Sequence, residues 1–321
     1  MMRLSIKYEN FLIIGILFFV LSSCTDPVRE YTSVFSLNLE TGAVKKRCDL
    51  GYGYEINYSA QENYFFDPDK EHYIDIDYDD PDGYWKYNYR DINTGEILNT
   101  IVILEESERY TWDIQFSKNG DKITFSQDFI YCVNVDGTEL KKLVSGFYST
   151  FSPDGNKVLF LAENGYLTLY DLASGDYEQL YYENCIEYPV FHPNGEKIYF
   201  FDESDLKTFS LSDSTITIIA EDLTFSSQLH FSNTGDRKVF YTFMKVFTLD
   251  ENDNINQLNV SSPYPCISGD GSKIAVADGL LTVLDFAGTT YTEYERAIVN
   301  PGIGFSPDGK EVYYINTWKD E

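Results

Sequence analysis

A five-residue motif of the type Phe-Ser-Pro-Asp-Gly recurs along the 321-residue chain and restricts its fold more than any other feature. Copies begin at Phe116, Phe151, Phe191, Phe231, Ile267 and Phe305, and a degenerate copy begins at Phe66. From Phe116 onward, successive copies are 35, 40, 40, 36 and 38 residues apart. Repeats of about 40 residues are typical of the four-stranded blades of a β-propeller.

The motif has the chemistry of a hairpin turn. Pro presets φ at the first turn position, Asp or Asn closes the turn with its side chain, and Gly takes the position of positive φ. An alternating apolar segment follows each turn, as in 157–161 and 197–200, and predicts a strand. A second turn signal lies between the copies; it ends at Gly42, Gly95, Gly137 and Gly175, and weaker copies follow at Leu211, Leu249 and Asp285.

The order of the two signals predicts how the chain closes. If the strands of a blade are A to D, the motif forms the A–B turn and the second signal forms the C–D turn. A C–D turn comes first, near residue 39, and the last A–B turn, at Phe305, has no C–D turn after it. We therefore predict an all-β, seven-bladed β-propeller of four-stranded blades over residues 31–321, closed by pairing the N-terminal and C-terminal half-blades. An open solenoid would need polar caps at its ends, and half-blades favour closure.

These hairpins resemble the WD40-like repeats of the TolB-type propeller family over essentially all of residues 31–321. The resemblance implies the fold and says little about function, because many activities use such propellers. Two positions depart from the pattern. Lys70 stands where Gly is expected, and we interpret the segment between Gly235 and Val239 as one residue too long. Blades 1 and 5 are therefore expected to be irregular.

Residues 1–23 have the pattern of a secretory signal peptide, with a basic start and an apolar run from Phe11 to Leu21. The run is shorter than the about 20 apolar residues that span a bilayer. The Leu-Ser-Ser-Cys sequence ending at Cys24 resembles the lipobox of bacterial lipoproteins, which implies lipidation of Cys24 and a short tether over 24–30. Because Thr25 rather than Asp follows, the resemblance implies the outer membrane. The alternative is an ordinary signal peptide with a chance Cys.

The charge restricts the partners. Asp and Glu number 52 against 24 Lys and Arg, which gives a net charge of −28 and a pI near 4.3. Such a surface repels nucleic-acid phosphates and anionic lipids, so we expect no nucleic-acid partner and membrane contact only through the lipid anchor. Cys48, Cys132, Cys185 and Cys266 lack CxxC spacing, and we predict free, mostly buried thiols.

The candidate binding site lies where the innermost strands begin. The D–A and B–C connections share one face of such propellers, and each strand A starts there. Residues three positions before each motif are Asn63, Asp113, Tyr148, Tyr188, Gln228, Tyr264 and Gly302, and Trp112 is adjacent. Tyr combines a stacking face with a polar tip, so we predict that this face binds a glycan or a protein segment. The alternative is that these side chains only fill a solvated channel mouth.

An acidic run is a weaker candidate site. Asp75, Asp77, Asp79, Asp80 and Asp82 could supply several of the oxygens that Ca²⁺ requires. The run lacks the Gly and the final Glu of an EF-hand loop, and a solvated B–C hairpin tip is the favoured interpretation.

The sequence gives little support for catalysis. The three histidines, His72, His192 and His230, are scattered, and no Gly-x-Ser-x-Gly motif occurs. Some pectin-degrading lyases with a similar propeller fold gather several histidines around a metal, a pattern this chain does not match. We expect a monomeric binding protein without cofactor or metal. A carbohydrate-active lyase or hydrolase is the alternative.

Overall fold

The fold is taken from a computed structural model of the chain. The structure describes residues 30–52, 64–77, 85–103, 114–182, 186–223, 229–243, 245–260, 265–277, 279–294 and 304–319. The regular secondary structure of these residues consists of 28 β-strands in seven four-stranded antiparallel sheets. Within this part of the chain, no helix is long and apolar enough to cross a membrane.

The strands follow one another blade by blade. The outer strands of blade 7 are β1 (Glu30–Asn38) and β2 (Val44–Tyr52). Blade 1 contains β3 (Tyr64–Phe66), β4 (His72–Asp77), β5 (Trp85–Asp91) and β6 (Ile97–Ile103). Blade 2 contains β7 (Gln115–Phe116), β8 (Lys122–Ser126), β9 (Ile130–Asn134) and β10 (Lys141–Lys142). Blade 3 contains β11 (Gly146–Phe151), β12 (Lys157–Ala162), β13 (Tyr166–Asp171) and β14 (Tyr177–Tyr182).

The second half of the chain repeats this order. Blade 4 contains β15 (Ile186–Phe191), β16 (Lys197–Asp202), β17 (Asp205–Ser210) and β18 (Ile216–Ala220). Blade 5 contains β19 (His230–Phe231), β20 (Lys238–Thr242), β21 (Lys245–Leu249) and β22 (Ile255–Gln257). Blade 6 contains β23 (Cys266–Ile267), β24 (Lys273–Ala277), β25 (Leu281–Asp285) and β26 (Tyr291–Glu293). The inner strands of blade 7 are β27 (Gly304–Phe305) and β28 (Glu311–Lys319).

Blade 7 joins the two parts of the chain as predicted. Its strand order is β2-β1-β28-β27, and β1 pairs with β28 from Glu30↔Lys319 to Asn38↔Glu311. Val34 and Val312 are fully buried in this composite sheet. The seven-bladed propeller closed by its own half-blades is therefore confirmed.

Apolar side chains pack between neighbouring sheets rather than within one blade. Ile74 and Tyr87 of blade 1 share a buried cluster with Ile123 and Phe125 of blade 2. The Tyr87 and Phe125 rings stack with their centroids 4.6 Å apart. Each blade thus covers the apolar faces of its two neighbours, which explains why closure of the ring is favourable.

The A–B turns follow the predicted chemistry. In blade 3 the Gly155 N–H donates to Ser152 O at 2.8 Å, and the Ser152 N–H donates to Lys157 O at 2.9 Å. The Ser152 hydroxyl accepts the Lys157 N–H at 2.9 Å and donates to Asp154 Oδ1 at 2.6 Å. Gly155 has φ of 70°. A backbone N–H to carbonyl bond across the same five-residue span closes the A–B turn of all seven blades.

The expected irregularity of blade 1 is not found. Lys70 adopts φ of 58°, the left-handed conformation that Gly takes in the other six A–B turns. Its N–H donates to Asp67 O at 3.2 Å, and β3 pairs with β4 in the normal register. The turn therefore forms without Gly, at the conformational cost that a side chain carries in this region.

The interpretation of an extra residue in blade 5 is wrong. Phe231 pairs with Lys238, as Phe151 pairs with Val158, so both turns have the same length. Lys238 therefore occupies the position that is apolar or aromatic in the other six blades, and it is 1% exposed. Blade 5 differs from the others by one substituted side chain.

Polar groups compensate the buried charge of Lys238. Its ammonium donates to Asp253 Oδ1 at 2.7 Å and to Asp250 O at 2.9 Å, and lies 5.5 Å from the centroid of the Tyr199 ring. The Tyr199 hydroxyl of blade 4 donates to both oxygens of Asp253, at 2.9 and 3.0 Å. Asp253 lies in the C–D turn with φ of 61°. A buried ion pair of this kind is tolerated only when its remaining polar groups are satisfied.

Candidate functional site

Two of the predicted site residues lie in the described part of the chain. Tyr148 is in β11 and Tyr188 is in β15, the innermost strands of neighbouring blades. Cys24, Asn63, Trp112, Asp113, Gln228, Tyr264 and Gly302 lie outside the described residues. The signal peptide and the tether lie outside them as well.

The structure brings Tyr148 and Tyr188 together. Their ring centroids are 4.9 Å apart with an interplanar angle of 51°. Aromatic rings that meet at this distance and tilt attract each other through their quadrupoles, beyond the area that they bury. Both side chains are half-buried, so part of each ring faces solvent. The pair forms an aromatic surface that spans two blades at the entrance to strand A.

Both tyrosines have left-handed backbone conformations. Tyr148 has φ of 56° and Tyr188 has φ of 50°. Strand pairing is irregular at the same places, between Phe147 and Thr150 in blade 3 and between Glu187 and Val190 in blade 4. A bulky residue with positive φ costs about 1–3 kcal/mol, and such residues concentrate at functional sites. Positive φ therefore recurs at the same position of the inner strand in two consecutive blades.

Glu187 adds a titratable group next to the aromatic pair. Burial raises the pKa of its carboxyl above the ordinary value. Its neighbour Tyr188 points a ring toward blade 3, so the described part of this face combines aromatic surface with a carboxyl group. Polar groups beside aromatic faces suit sugars and peptide segments.

The histidines are placed as predicted. His72 follows the A–B turn of blade 1, where its Nδ1 lies 3.0 Å from Asp67 Oδ2. His192 is in the A–B turn of blade 4, where its Nδ1 lies 2.7 Å from Asn194 Oδ1. His230 is in the inner strand β19. Among the described residues, no group of three or more His, Cys, Asp or Glu side chains is arranged to hold a metal ion.

One member of the acidic run, Asp75, forms an ion pair within its own blade. Asp75 forms an ion pair with Arg90 of the adjacent strand β5, and the Asn88 amide donates to Asp75 Oδ2 at 3.3 Å. The positions of Asp79, Asp80 and Asp82 lie outside the described residues. A calcium site in this run therefore stays untested.

The cysteine prediction is confirmed for the thiols that the structure describes. Cys48, Cys132 and Cys266 are free and buried, and Cys185 lies outside the described residues. Burial raises the pKa of the Cys48 and Cys132 thiols to about 11 and that of Cys266 to about 12. These thiols are therefore protonated at neutral pH and unreactive as nucleophiles.

Sequence reasoning missed the contact between Lys70 of blade 1 and Gly304 of blade 7. Lys70 was noticed only as a departure from Gly, and His230 only as a strand residue. Burial, followed by the positive charge of Lys70, lowers the pKa of His230 to about 4. The Lys70 side chain itself lies over Gly304, which is distant in sequence. Local patterns carry no signal for such a contact.

No family model matches the chain, and no curated protein sequence matches it. Solved structures do. A TolB candidate from Agrobacterium tumefaciens superposes with a TM-score of 0.50 at 16% identity, over 90% of this chain and 99% of that one. An oligogalacturonate lyase in complex with manganese superposes with a TM-score of 0.62 at 15% identity, over 92% and 98%.

A third solved structure is also similar. The β-propeller domain of Cps50 (Swd1) from Myceliophteria thermophila superposes with a TM-score of 0.57 at 10% identity, over 79% of this chain and 95% of that one. At these identities the similarity establishes the fold and leaves function open. The chain is a seven-bladed β-propeller, and its similarity to these structures is one of fold.

Proposed function

We propose that this protein is a non-catalytic, lipid-anchored propeller of the bacterial outer membrane that binds a glycan or a protein segment at its D–A face. The observation that carries the proposal is the Tyr148–Tyr188 pair. Its rings are 4.9 Å apart on neighbouring blades, and both residues hold a strained backbone. Strain of this kind persists where the surrounding structure fixes it, and it positions side chains for contact.

The charge of the molecule favours a neutral or cationic partner. A net charge of −28 repels polyanions over the Debye length of about 8 Å at physiological salt. The lipobox at Cys24 supports attachment to the envelope, and the protein would then bind as a monomer held at the membrane by its acyl chains. No cofactor is required for such binding.

The proposal is tested by removing the aromatic pair. Tyr148→Ala with Tyr188→Ala should abolish binding in a glycan array and in a pull-down of envelope proteins. The matched variant Tyr148→Phe with Tyr188→Phe keeps the rings and should retain most binding. Tyr177→Ala, which removes a 63% exposed ring on the outer strand β14, should change nothing.

The broader site is tested by the replacement of Trp112, Tyr148, Tyr188 and Tyr264 together by Ala. This variant should lose binding and keep the cooperative melting of the parent protein. A partner that binds the quadruple variant unchanged would place the site elsewhere.

A carbohydrate-active enzyme is the second candidate, because one similar structure is an oligogalacturonate lyase in complex with manganese. The described residues of the present chain place His72, His192 and His230 in blades 1, 4 and 5, without a shared set of ligands. Metal analysis of the purified protein and the absorbance of unsaturated products from galacturonan decide between the candidates. Manganese-dependent product formation would overturn the binding proposal.

A further inference from the structure

The chain enters the propeller on the D–A face. Strand β1 pairs with β28 in antiparallel register, so that Glu30 lies opposite Lys319 and Asn38 lies opposite Glu311. Glu311 directly follows the A–B turn of blade 7, so the Asn38 end of β1 lies at the A–B face. Glu30, where β1 begins, therefore lies at the opposite face, which carries the B–C and D–A connections and the candidate binding site.

The proposed lipid anchor is close to this entry point. Cys24 precedes Glu30 by six residues, which reach at most about 21 Å when fully extended. Strand β1 has nine residues and spans about 27 Å from one face to the other. A chain fixed to the bilayer at Cys24 therefore cannot place the A–B face on the membrane, because the tether is shorter than the strand that it would have to pass.

Exposed apolar side chains mark the part of the D–A face next to the anchor. Phe243 is 67% exposed at the B–C tip of blade 5, and Leu280 is 39% exposed at the B–C tip of blade 6. Blades 5 and 6 precede blade 7 around the ring, so both tips lie on the same side of the face as Glu30. The tips of blades 3 and 4, farthest from blade 7, carry the exposed residues Glu163 and Glu203 instead.

The remaining tips and the other exposed apolar side chains fit this arrangement. At the tip of blade 2, the Lys142 ammonium lies 3.7 Å from the centroid of the Phe129 ring, which is only half-exposed. The tip of blade 1 lies outside the described residues. Tyr177 and Ile255 are exposed, but each begins a strand D and so lies near the A–B face, which the tether keeps away from the bilayer.

We propose that the B–C tips of blades 5 and 6 dock on the lipid bilayer beside the anchor. Phe243 and Leu280 enter the boundary between headgroups and acyl chains, where exposed apolar side chains of peripheral proteins bind. The inference rests on the proposed acylation of Cys24 and adds a second, direct contact with the membrane. A weak contact suffices, because the tether makes the docking step intramolecular.

The charge of the protein selects the lipid. A net charge of −28 repels anionic headgroups, whereas a zwitterionic bilayer has no net charge to oppose docking. Phe243 and Leu280 are themselves uncharged, so their transfer requires no charged group to be desolvated. The occupant of this surface is therefore a bilayer of zwitterionic phospholipid.

Docking at these two tips leaves the candidate binding site accessible. Tyr148 and Tyr188 belong to blades 3 and 4, on the far side of the ring from the anchor. Contact through blades 5 and 6 tilts the propeller so that the side carrying this pair is raised from the bilayer. A partner of the tyrosine pair then approaches along the membrane surface.

The acylated, full-length protein in phosphatidylcholine vesicles tests the proposal, with nitroxide-labelled phosphatidylcholine as a fluorescence quencher. A fluorophore is attached through Lys245→Cys beside Phe243, Glu203→Cys at the tip of blade 4, or Asp236→Cys in the A–B turn of blade 5, all at exposed positions. The thiols of Cys48, Cys132 and Cys266 are buried, and a Cys185→Ser background removes the remaining one. Quenching should be strong at position 245, weaker at 203 and absent at 236.

Removal of the apolar tips should abolish this order. Phe243→Ser with Leu280→Ser should reduce quenching at position 245 to the level at 203, because the tether alone does not fix the tilt. Ile255→Ser is the matched control, since it removes a 41% exposed apolar side chain at the opposite end of blade 5 and should leave the pattern unchanged. Equal quenching at positions 245 and 203 in the acylated parent protein, or stronger quenching at 236, would overturn the docking.

Two further measurements separate this inference from the proposed function. Mass spectrometry of the mature N-terminus reports acylation, and an unacylated N-terminus would overturn the anchor and the docking together. The Tyr148→Ala, Tyr188→Ala variant should keep the quenching pattern, and the Phe243→Ser, Leu280→Ser variant should keep glycan or protein binding. Membrane docking and ligand binding can therefore fail independently.

Discussion

Blades 5 and 7 each differ from a regular blade such as blade 3, but in different ways. Blade 7 is assembled from two distant segments, yet its interior is as apolar as that of blade 3, with Val34 and Val312 fully buried. Blade 5 is continuous, yet Lys238 occupies its apolar core position. Blade 7 differs from blade 3 in connectivity. Joining two distant segments costs loop-closure entropy, but it does not require a charged group to be desolvated. The difference in blade 5 is chemical, and it requires Asp253 and Tyr199 as partners.

The largest effect is expected from breaking blade 7. Deletion of residues 31–50 removes β1 and most of β2, and exposes the edge of β28 around Val312–Tyr314. Cooperative unfolding should be lost, because blades 1 and 6 each lose the neighbour that covers them. Calorimetry measures this directly. A deletion variant that melts like the parent would show that the half-blades contribute no closure energy.

The next largest effect is expected from breaking the ion pair of blade 5. Asp253→Asn leaves the ammonium of Lys238 buried without a carboxylate, and should lower the free energy of unfolding by about 3–5 kcal/mol. Asn also favours the left-handed conformation of this turn, so backbone strain stays constant. Urea denaturation gives the value. Glu251→Gln removes a charge from the exposed part of the same turn and should change stability by less than about 0.5 kcal/mol.

Removal of both charges should make blade 5 resemble blade 3. Lys238→Met with Asp253→Asn replaces the ion pair by an apolar side chain and a neutral amide. Replacement of a buried pair in this way is often neutral or stabilising by about 1–4 kcal/mol. Double-mutant analysis of the unfolding free energies measures the coupling between the two side chains. A double variant as unstable as Asp253→Asn would mean that the lysine contributes something other than its charge.

The smallest effect is expected from blade 6, which separates blades 5 and 7. Hydrogen bonds from the Thr289 and Thr290 hydroxyls lower the pKa of Asp285 to about 2. Because the folded pKa lies below the unfolded value of about 3.9, this contribution to stability is complete above pH 4. It is lost as the pH falls from about 4 toward 2. Asp285→Asn should therefore flatten the pH dependence of the melting temperature in this window, and an unchanged slope would refute the assignment.

The hairpin motifs were sufficient to predict the fold because their chemistry is local. Pro, Asp and Gly define a turn within five residues, and the order of two turn types implies a composite blade. The Tyr148–Tyr188 pair was predicted only as two positions on one face. The bulges that turn the rings toward each other depend on strand pairing, and no residue type in the sequence signals them.

Lys238 shows where local reasoning failed. The strand pattern calls for an apolar residue seven positions after the motif begins, so a lysine there was read as an insertion. The correct register depends on Asp253 and on Tyr199 of the neighbouring blade, and both partners become visible only when the blades are packed.

The sequence by itself determined the number of blades, the order of their strands and the closure of the ring, because hairpin turns and alternating strands are set by neighbouring residues. The tertiary structure alone decided which side chains meet across the channel and between blades. Lys70 of blade 1 reaches over Gly304 of blade 7 because ring closure makes these two blades neighbours. Contacts of this kind follow from the geometry of the closed ring, and residues distant in sequence carry no local pattern that predicts them.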